Sequence, residues 1–382
     1  MGKRKFKLPG VEDLNKDQDR VLRLPEDGQF LVVGGPGTGK SVVALLRAMK
    51  FQKNNNYLFL TFNHVLRSAT TQLVDVPLKS WTLKSWFYKL HFELTKENMP
   101  QLANYKPDYD EVIRRFESLD IQERPLHIII DEGQDMPIKF YESLISCGYE
   151  NFFIVADQNQ QITDEHSSRH ELTDILGLNV DDVIELTENY RNSHTIARLS
   201  ECFFTDRASP KPKLPMEARV SLGRPTLFEY DNHENCVKLI LREADRDDRN
   251  LIGVVVANDN LRDTYAKTLK EIDIKLDNPK PIISTYSSKN KEKVNIDFSN
   301  GGVVVLNDKS IKGLEFDIVF IIIDGFNIYN NDSNSMKKRF YVMSSRAIKK
   351  LVFFKSKDYK GGVEEILPTD ENILKRERLN NG

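Results

Sequence analysis

Cysteine is scarce in this sequence: the 382 residues include only Cys147, Cys202 and Cys236, which lie far apart and without CxxC spacing. This pattern excludes a disulfide framework and a cysteine-based zinc site, and it is typical of a protein in a reducing cytosol. An excess of charge is also lacking, because 55 basic and 57 acidic residues give a formal net charge of −2. The balance excludes a uniformly basic nucleic-acid binder but allows a local basic groove.

Long hydrophobic runs are missing as well. The longest runs, such as residues 318–323, are far shorter than the roughly 20 residues that cross a bilayer. Residues 1–10 are basic but lead into no apolar stretch, so we expect no signal peptide. These absences predict a cytoplasmic protein with no membrane contact. Because 40% of the residues are hydrophobic, the chain has enough apolar side chains for a sizeable core.

Short apolar runs rich in β-branched residues alternate with helical patterns at residues 41–51 and 260–271. Continuous apolar runs predict strands that are buried on both faces of a parallel sheet, and the alternation predicts an α/β fold. The stretch between the two groups of strands, residues 157–222, is predicted to be helix and loop. The predicted strands are residues 29–33, 57–60, 127–130, 152–155, 251–256, 302–306 and 318–323.

A phosphate-binding loop is the most informative local feature. Residues 34–41 read Gly-Gly-Pro-Gly-Thr-Gly-Lys-Ser, follow a predicted strand and open a predicted helix, as the motif GxxxxGK followed by Ser or Thr requires. Backbone N–H groups of such a loop, together with the helix N-terminus, bind phosphates. We expect Lys40 to reach the β- and γ-phosphates and Ser41 to bind Mg²⁺. The loop residues expected to bind nucleotide are Gly35, Pro36, Gly37, Thr38, Gly39, Lys40 and Ser41.

Two carboxylates, Asp131 and Glu132, follow the predicted strand at residues 127–130. Ligands of parallel α/β sheets bind at this end of the strands. We expect Asp131 to bind Mg²⁺ directly or through water, and Glu132 to polarise the attacking water. The alternative is that both acids only cap the helix that follows.

The order of segments from residue 14 to residue 347 resembles that of the UvrD/Rep-like superfamily 1 helicases, including their compact and HelD-like relatives. In the first half, Leu-Asn-Lys-Asp-Gln ending at Gln18 resembles the motif that reads adenine, and Asp-Glu-Gly-Gln-Asp from Asp131 matches the DExQD box. Gln160 matches the γ-phosphate sensor. Two further segments resemble motifs that contact nucleic acid, which implies contacts for Phe62, Asn63, Thr82, Ser85 and Trp86.

The second half continues the resemblance. Glu-Asn-Tyr-Arg ending at Arg191 resembles the NYR motif, which implies that Tyr190 stacks on adenine and that Arg191 meets the γ-phosphate. Lys-Gly-Leu-Glu-Phe matches KGLEF, which implies nucleotide contacts for Gly313 and Glu315. Ser-Arg-Ala around Arg346 resembles the last motif, which supplies a second γ-phosphate arginine. The residues predicted to be catalytic are Lys40, Glu132, Gln160, Arg191 and Arg346.

The resemblance implies a fold of two RecA-like P-loop NTPase lobes, residues 1–186 and 187–382, with parallel sheets flanked by helices. Residues from about 87 to 124 leave room for a small helical insertion in the first lobe, whereas the large second-lobe insertion of the family is absent. After the sensor glutamine, Ile-Thr-Asp at residues 162–164 replaces the usual stacking aromatic. Asn307 and Lys309 replace the usual Thr and His before KGLEF.

The function implied by the resemblance is an ATPase, with ATP and Mg²⁺, that acts as a helicase or translocase. It would hydrolyse ATP in the cleft between the lobes and move 3′ to 5′ along single-stranded DNA, or along RNA. The alternative is an ATP-gated subunit that clamps nucleic acid or remodels a protein partner, such as a phage-defence nuclease or RNA polymerase, without sustained unwinding. The reduced insertions favour this alternative. A P-loop kinase is disfavoured because it does not explain the later motifs.

Overall fold

The computed structural model describes residues 8–74, 76–119, 122–157, 166–205, 211–216, 223–286, 294–330 and 332–379. The chain divides into two compact units. The first unit comprises Leu8–Arg67 and Val74–Thr187, and the second comprises Ser68–Leu73 with residues 188–379. Among the described residues, we find no helix with the length and hydrophobicity of a transmembrane segment.

The first unit is built on a sheet of six described strands, all parallel, in the order β3-β2-β4-β5-β1-β6. The inner strands are continuous apolar runs because both faces of the sheet are covered. All carboxyl ends of the strands therefore lie at one edge, where a ligand site is expected. The strands are β1 (Gln29–Gly34), β2 (Tyr57–Thr61), β3 (Ser80–Thr82), β4 (Arg124–Ile130), β5 (Tyr149–Ala156) and β6 (Val183–Leu186).

Helices cover both faces of the first sheet. One face packs in a single core with α4, α5 and α6, which occupy and follow the predicted insertion. On the opposite face, the guanidinium of Arg47 from α2 lies 5.2 Å from the ring of Phe30 and 4.8 Å from that of Phe153. The helices are α1 (Lys16–Leu22), α2 (Lys40–Lys50), α4 (Leu83–Thr95), α5 (Tyr109–Glu117), α6 (Ile138–Ser146) and α7 (Arg169–Ile175). The residues of α3 (His64–Gln72) are divided between the two units after Arg67.

The second unit contains a sheet of seven described strands, all parallel, in the order β13-β7-β12-β11-β8-β10-β9. Helices α9 and α10 pack on it through Val237, Ile240 and Leu269. The strands are β7 (Thr226–Tyr230), β8 (Leu251–Val256), β9 (Ile283–Thr285), β10 (Gly302–Asn307), β11 (Phe316–Ile322), β12 (Ala347–Ser356) and β13 (Lys375–Arg378). The helices are α8 (His194–Glu201), α9 (His233–Arg246), α10 (Asp259–Glu271) and α11 (Ser333–Ser344).

The predicted fold class is confirmed, since both sheets are parallel and every strand predicted from an apolar run is present. The prediction for residues 157–222 was wrong in one respect, because this stretch contains β6, which pairs with β1. In β6 only Ile184 and Leu186 are buried, while Glu185 is exposed. A four-residue edge strand with alternating burial lacks the continuous apolar signal of the inner strands.

Candidate nucleotide site

The phosphate-binding loop connects β1 to α2. Gly37 and Gly39 have φ angles of 74° and 89°, which favour glycine because other residues are strained there. A Cβ atom at Gly39 would also lie 2.2 Å from Nε2 of Gln18. The hydroxyl of Thr38 donates a hydrogen bond to the carbonyl oxygen of Gly35 at 2.9 Å. The loop therefore has the backbone conformation that the motif predicts.

The Lys40 side chain is buried against this loop. Its Nζ donates hydrogen bonds to the carbonyl oxygens of Gly34 at 2.8 Å and Gly35 at 2.7 Å, and lies 3.5 Å from Oδ2 of Asp157. Asp157 directly follows β5, and β5 pairs with β1. The ion pair therefore joins two adjacent strand ends, and it places a positive charge where the loop and the helix N-terminus favour an anion.

Asp131 follows β4 and is only 1% exposed. Burial and the neighbouring Glu132 raise the pKa of Asp131 to about 7, while the nearby hydroxyl of Ser41 and the ammonium of Lys40 oppose this rise. Its Oδ1 accepts a hydrogen bond from the backbone N–H of Glu132 at 3.0 Å. Its buried Oδ2 has no hydrogen-bond partner among the described residues.

A carboxylate oxygen without a partner, close to a serine hydroxyl, fits Mg²⁺, which prefers oxygen ligands. The described residues include no cluster of three or more His, Cys, Asp or Glu side chains that could hold a metal ion alone. Mg²⁺ usually takes one or two protein ligands and completes its shell with phosphate oxygens and water. Ser41 and Asp131 are thus a suitable pair of ligands for a nucleotide-bound Mg²⁺.

Glu132 is held in an unusual backbone conformation, with a φ angle of 58°. Such a conformation costs energy in a residue other than glycine and is frequent at functional sites. Its Oε2 accepts a hydrogen bond from Nε2 of Gln134 at 2.6 Å, and Oε1 of Gln134 accepts one from the backbone N–H of Asp157 at 3.0 Å. Gln134 thus fixes the Glu132 carboxylate relative to β5, a contact that the sequence alone does not indicate.

Gln18 also contacts the phosphate-binding loop. Its Nε2 donates a hydrogen bond to the carbonyl oxygen of Thr38 at 2.9 Å, and its Oε1 accepts one from the backbone N–H of Asn15 at 3.1 Å. Both ends of the carboxamide therefore bind the protein itself, and Gln18 supports the loop. Its contact with adenine stays a prediction. Gln160 and residues 162–164 lie outside the described residues.

In the second unit, the predicted residues Arg191, Glu315 and Arg346 come together at the amino ends of β11 and β12. Glu315 and Arg346 directly precede these strands, which pair with Phe316 opposite Ala347. Nε of Arg191 donates a hydrogen bond to Oε1 of Glu315 at 2.8 Å, and its Nη2 contacts the same oxygen. Arg346 is buried, and its Nε donates to the carbonyl oxygen of Val342 at 3.0 Å.

The other two predicted nucleotide contacts of the second unit lie near this group in sequence. Tyr190 is exposed, and its hydroxyl donates a hydrogen bond to the carboxylate of Glu188. An exposed aromatic ring is compatible with stacking on a base. Gly313 has a φ angle of 80°, so that the KGLEF turn requires glycine at this position.

The predicted nucleic-acid contacts follow two neighbouring strands of the first unit. Thr61 pairs with Thr82 across β2 and β3, so Phe62 and Asn63 leave the sheet at the same edge as Thr82. The Thr82 hydroxyl accepts a hydrogen bond from the backbone N–H of Ser85 at 3.4 Å and lies 2.6 Å from the Ser85 hydroxyl. Oδ1 of Asn63 likewise accepts a bond from the backbone N–H of Leu66 at 2.7 Å. These polar groups therefore also begin α3 and α4.

Trp86, unlike the other four predicted nucleic-acid contacts, lies in the hydrophobic core. It is only 8% exposed and belongs to the core of the first unit, where its ring centroid lies 5.9 Å from that of Tyr149. A side chain buried in this way stabilises the fold and does not offer its ring to a base. Phe62 is half-buried, which leaves it as the aromatic residue of the predicted set that is accessible near the sheet edge.

Comparison with known proteins gives a partial match. Residues 19–165 match the profile of a family described as AAA domain, which covers less than half of the chain. No curated protein matches the chain at a significant level. Solved structures do match, among them the C-terminal domain of a possible DNA helicase from Lactobacillus plantarum WCFS1. It is 15% identical over 49% of this chain and 97% of that chain, with a TM-score of 0.33.

Proposed function

We propose that this chain is an Mg²⁺-dependent ATPase of the helicase type that moves along single-stranded DNA. The observation that carries the proposal is the group formed by Lys40, Ser41 and Asp131 at the carboxyl edge of the first sheet. Lys40 is bound to two loop carbonyls, and Asp131 has a buried oxygen that fits a metal ion. The AAA-domain match over residues 19–165 supports a nucleotide-binding role for the same unit.

Each residue of the group has a defined role in this proposal. Lys40 exchanges its bonds with the Gly34 and Gly35 carbonyls for bonds with phosphate oxygens. Ser41 and Asp131 hold Mg²⁺, which when bound neutralises charge on the phosphate oxygens. Glu132, fixed by Gln134, orients the attacking water and accepts its proton.

Two arginines of the second unit, Arg191 and Arg346, are part of the proposal through the sequence motifs. The sequence motifs imply that Arg191 and Arg346 stabilise the charge that develops on the γ-phosphate, and such arginines contribute about 10³–10⁵-fold to the rate of phosphoryl transfer. Loss of the γ-phosphate then removes their ligand, which links the nucleotide state to movement. A 3′ to 5′ direction is part of the proposal through the same motifs.

The test is the rate of ATP hydrolysis measured with single-stranded DNA, with RNA and with no nucleic acid. We expect single-stranded DNA to stimulate the wild-type chain and Lys40→Ala to be inactive in all three conditions. Equal wild-type rates in the three conditions would contradict translocation. A strand-displacement assay distinguishes the alternative, because an ATP-gated clamp would hydrolyse ATP without displacing a strand.

A further inference from the structure

Asn192, which directly follows Arg191, connects two segments that are distant in sequence. It is only 1% exposed, and its Nδ2 donates hydrogen bonds to the carbonyl oxygens of Ser345 at 3.0 Å and Ala347 at 2.5 Å. These are the two carbonyls on either side of Arg346. The amino group of Asn192 therefore holds the backbone on both sides of Arg346, the residue that is proposed to contact the γ-phosphate.

A second asparagine determines which way this amide faces. Nδ2 of Asn189 donates a hydrogen bond to Oδ1 of Asn192 at 2.9 Å, so the amino group of Asn192 faces the two carbonyls. Oδ1 of Asn189 accepts bonds from the backbone N–H groups of Arg191 at 3.0 Å and Asn192 at 3.2 Å. The turn that contains Arg191 and the side-chain amide that binds the carbonyls on either side of Arg346 are therefore joined by hydrogen bonds.

Further hydrogen bonds connect Arg346 back to Arg191 through Phe316 and Glu315. The carbonyl oxygen of Arg346 accepts a hydrogen bond from the backbone N–H of Phe316 at 3.0 Å. Phe316 follows Glu315, and Glu315 accepts the hydrogen bonds of Arg191. Arg191, Arg346 and Glu315 are thus linked through hydrogen bonds. Asn192 makes the side-chain part of this link, beside a backbone hydrogen bond from Ser193 to Ile348 at 3.1 Å.

We infer that Asn192 is a positioning residue that sets Arg346 relative to Arg191 for action on the γ-phosphate. The inference rests on the proposed ATPase function and assigns a role to a residue outside the motifs. Asparagine suits this position because serine and alanine are too short to reach both carbonyls. Aspartate has nearly the same shape but would place an acceptor oxygen against two carbonyl oxygens, which donate no hydrogen bond.

The test compares single-turnover rates of ATP hydrolysis with excess enzyme. We expect Asn192→Asp to lower the rate by about a hundredfold, the scale of a small misplacement of a reacting group. The affinity for ADP, which lacks the γ-phosphate, is expected to stay unchanged. Asn192→Ser, which removes the donor without adding repulsion, is the second variant. Ser200→Ala is the matched control, since it removes another buried hydrogen bond of the same unit, from Ser200 to Ser344 at 2.9 Å.

A double-mutant cycle separates positioning from general stability. In an Arg346→Ala background, Asn192→Asp is expected to cause a much smaller further fall than in the wild type, because residues that act together are not additive. The inference would be overturned if Asn192→Asp lowered the rate of ATP hydrolysis equally in the wild type and in Arg346→Ala. It would also be overturned if Ser200→Ala lowered the rate as much as Asn192→Asp. Loss of ADP binding in both Asn192 variants would also overturn it, since Asn192 would then serve folding alone. A wild-type chain that hydrolyses no ATP would instead reject the proposed function itself.

Discussion

Lys40 and Asp157 form an almost fully buried ion pair, with Nζ of Lys40 3.5 Å from Oδ2 of Asp157. A buried charge needs a partner, because its hydration is lost. The carboxylate therefore compensates Lys40 until an anion reaches the loop. A bound phosphate supplies the same negative charge, so the pair and the phosphate are expected to compete for one ammonium.

Asp157→Asn removes the charge of the partner while keeping its shape. We expect the free energy of unfolding to fall by about 2 kcal/mol, the scale of a hydrogen bond to a charged group. Saturating ADP is expected to recover part of this loss, because a phosphate then accompanies Lys40. Urea unfolding with and without ADP measures both effects. Asp174→Asn, at an exposed pair with His170, is the control, and an equal loss with and without ADP would contradict the explanation.

Glu132→Gln tests the role of this carboxylate in catalysis. The amide keeps the size of the side chain but accepts no proton, so kcat is expected to fall by about 10²–10⁴-fold, the range for a general base. The affinity for ADP is expected to remain the same, because Glu132 is not a proposed ligand of the nucleotide. The exposed Glu150→Gln in β5 serves as the control. An unchanged kcat in Glu132→Gln would assign proton acceptance to another group.

Substitutions of Trp86 and Phe62 are expected to have different effects, the first on stability and the second on nucleic-acid binding. Trp86→Ala removes a core side chain and is expected to lower the free energy of unfolding by about 4 kcal/mol. Phe62→Ala is expected to cost less stability and to weaken binding of single-stranded DNA by about tenfold, the scale of one stacked base. Urea unfolding and fluorescence anisotropy at fixed salt measure the two quantities. Loss of DNA binding in a fully stable Trp86→Ala would contradict the assignment.

The carboxyl group of Asp324, two residues after β11, is expected to make the stability of the protein depend on pH. Burial raises the pKa of Asp324, while hydrogen bonds donated by the Tyr230 hydroxyl and the backbone N–H of Ser356, together with the charge of Lys355, oppose this rise. The bond from Tyr230 to Oδ2 measures 2.8 Å. Cys236, Tyr265 and Tyr359 are further titratable side chains that lie close to it.

Because the folded carboxyl keeps its proton to a higher pH than the unfolded one, its contribution to stability is complete below the unfolded pKa. This contribution is lost as the pH rises through the folded pKa. We therefore expect the stability of the wild type relative to Asp324→Asn to decrease as the pH rises from about 4. Urea unfolding at a series of pH values measures the difference. A difference that is constant with pH would contradict the raised pKa.

The positions of the glycine-rich loop and of Asp131 could be predicted from the sequence because both signals are local. Glycines among residues 34–39 are needed because the backbone there adopts positive φ angles, as at Gly37 and Gly39. The strand and the helix on either side directly adjoin this loop in the sequence. Asp131 lies at a strand end that the apolar run of β4 defines directly. In such cases the neighbouring residues contain the information that decides the structure.

Other features depend on partners that no local pattern identifies. The edge strand β6 forms against β1, and the charged β13 forms against β7, so neither has an apolar run of its own. Trp86 belongs to the core because Tyr149 lies beside it. Asn192 reaches a carbonyl 153 residues away in sequence. A second asparagine after the NYR motif was the available signal, but only the fold shows what it binds.

The contact between Gly39 and Gln18 has a consequence for the directed evolution of this loop. The positive φ angle of 89° strains any other residue at position 39, and a Cβ atom there would also lie 2.2 Å from the amide nitrogen of Gln18, which would have to move. A shorter residue at position 18 would relieve only the second of these effects. A suppressor screen that starts from Gly39→Ala is therefore expected to recover revertants to glycine rather than compensating changes at position 18.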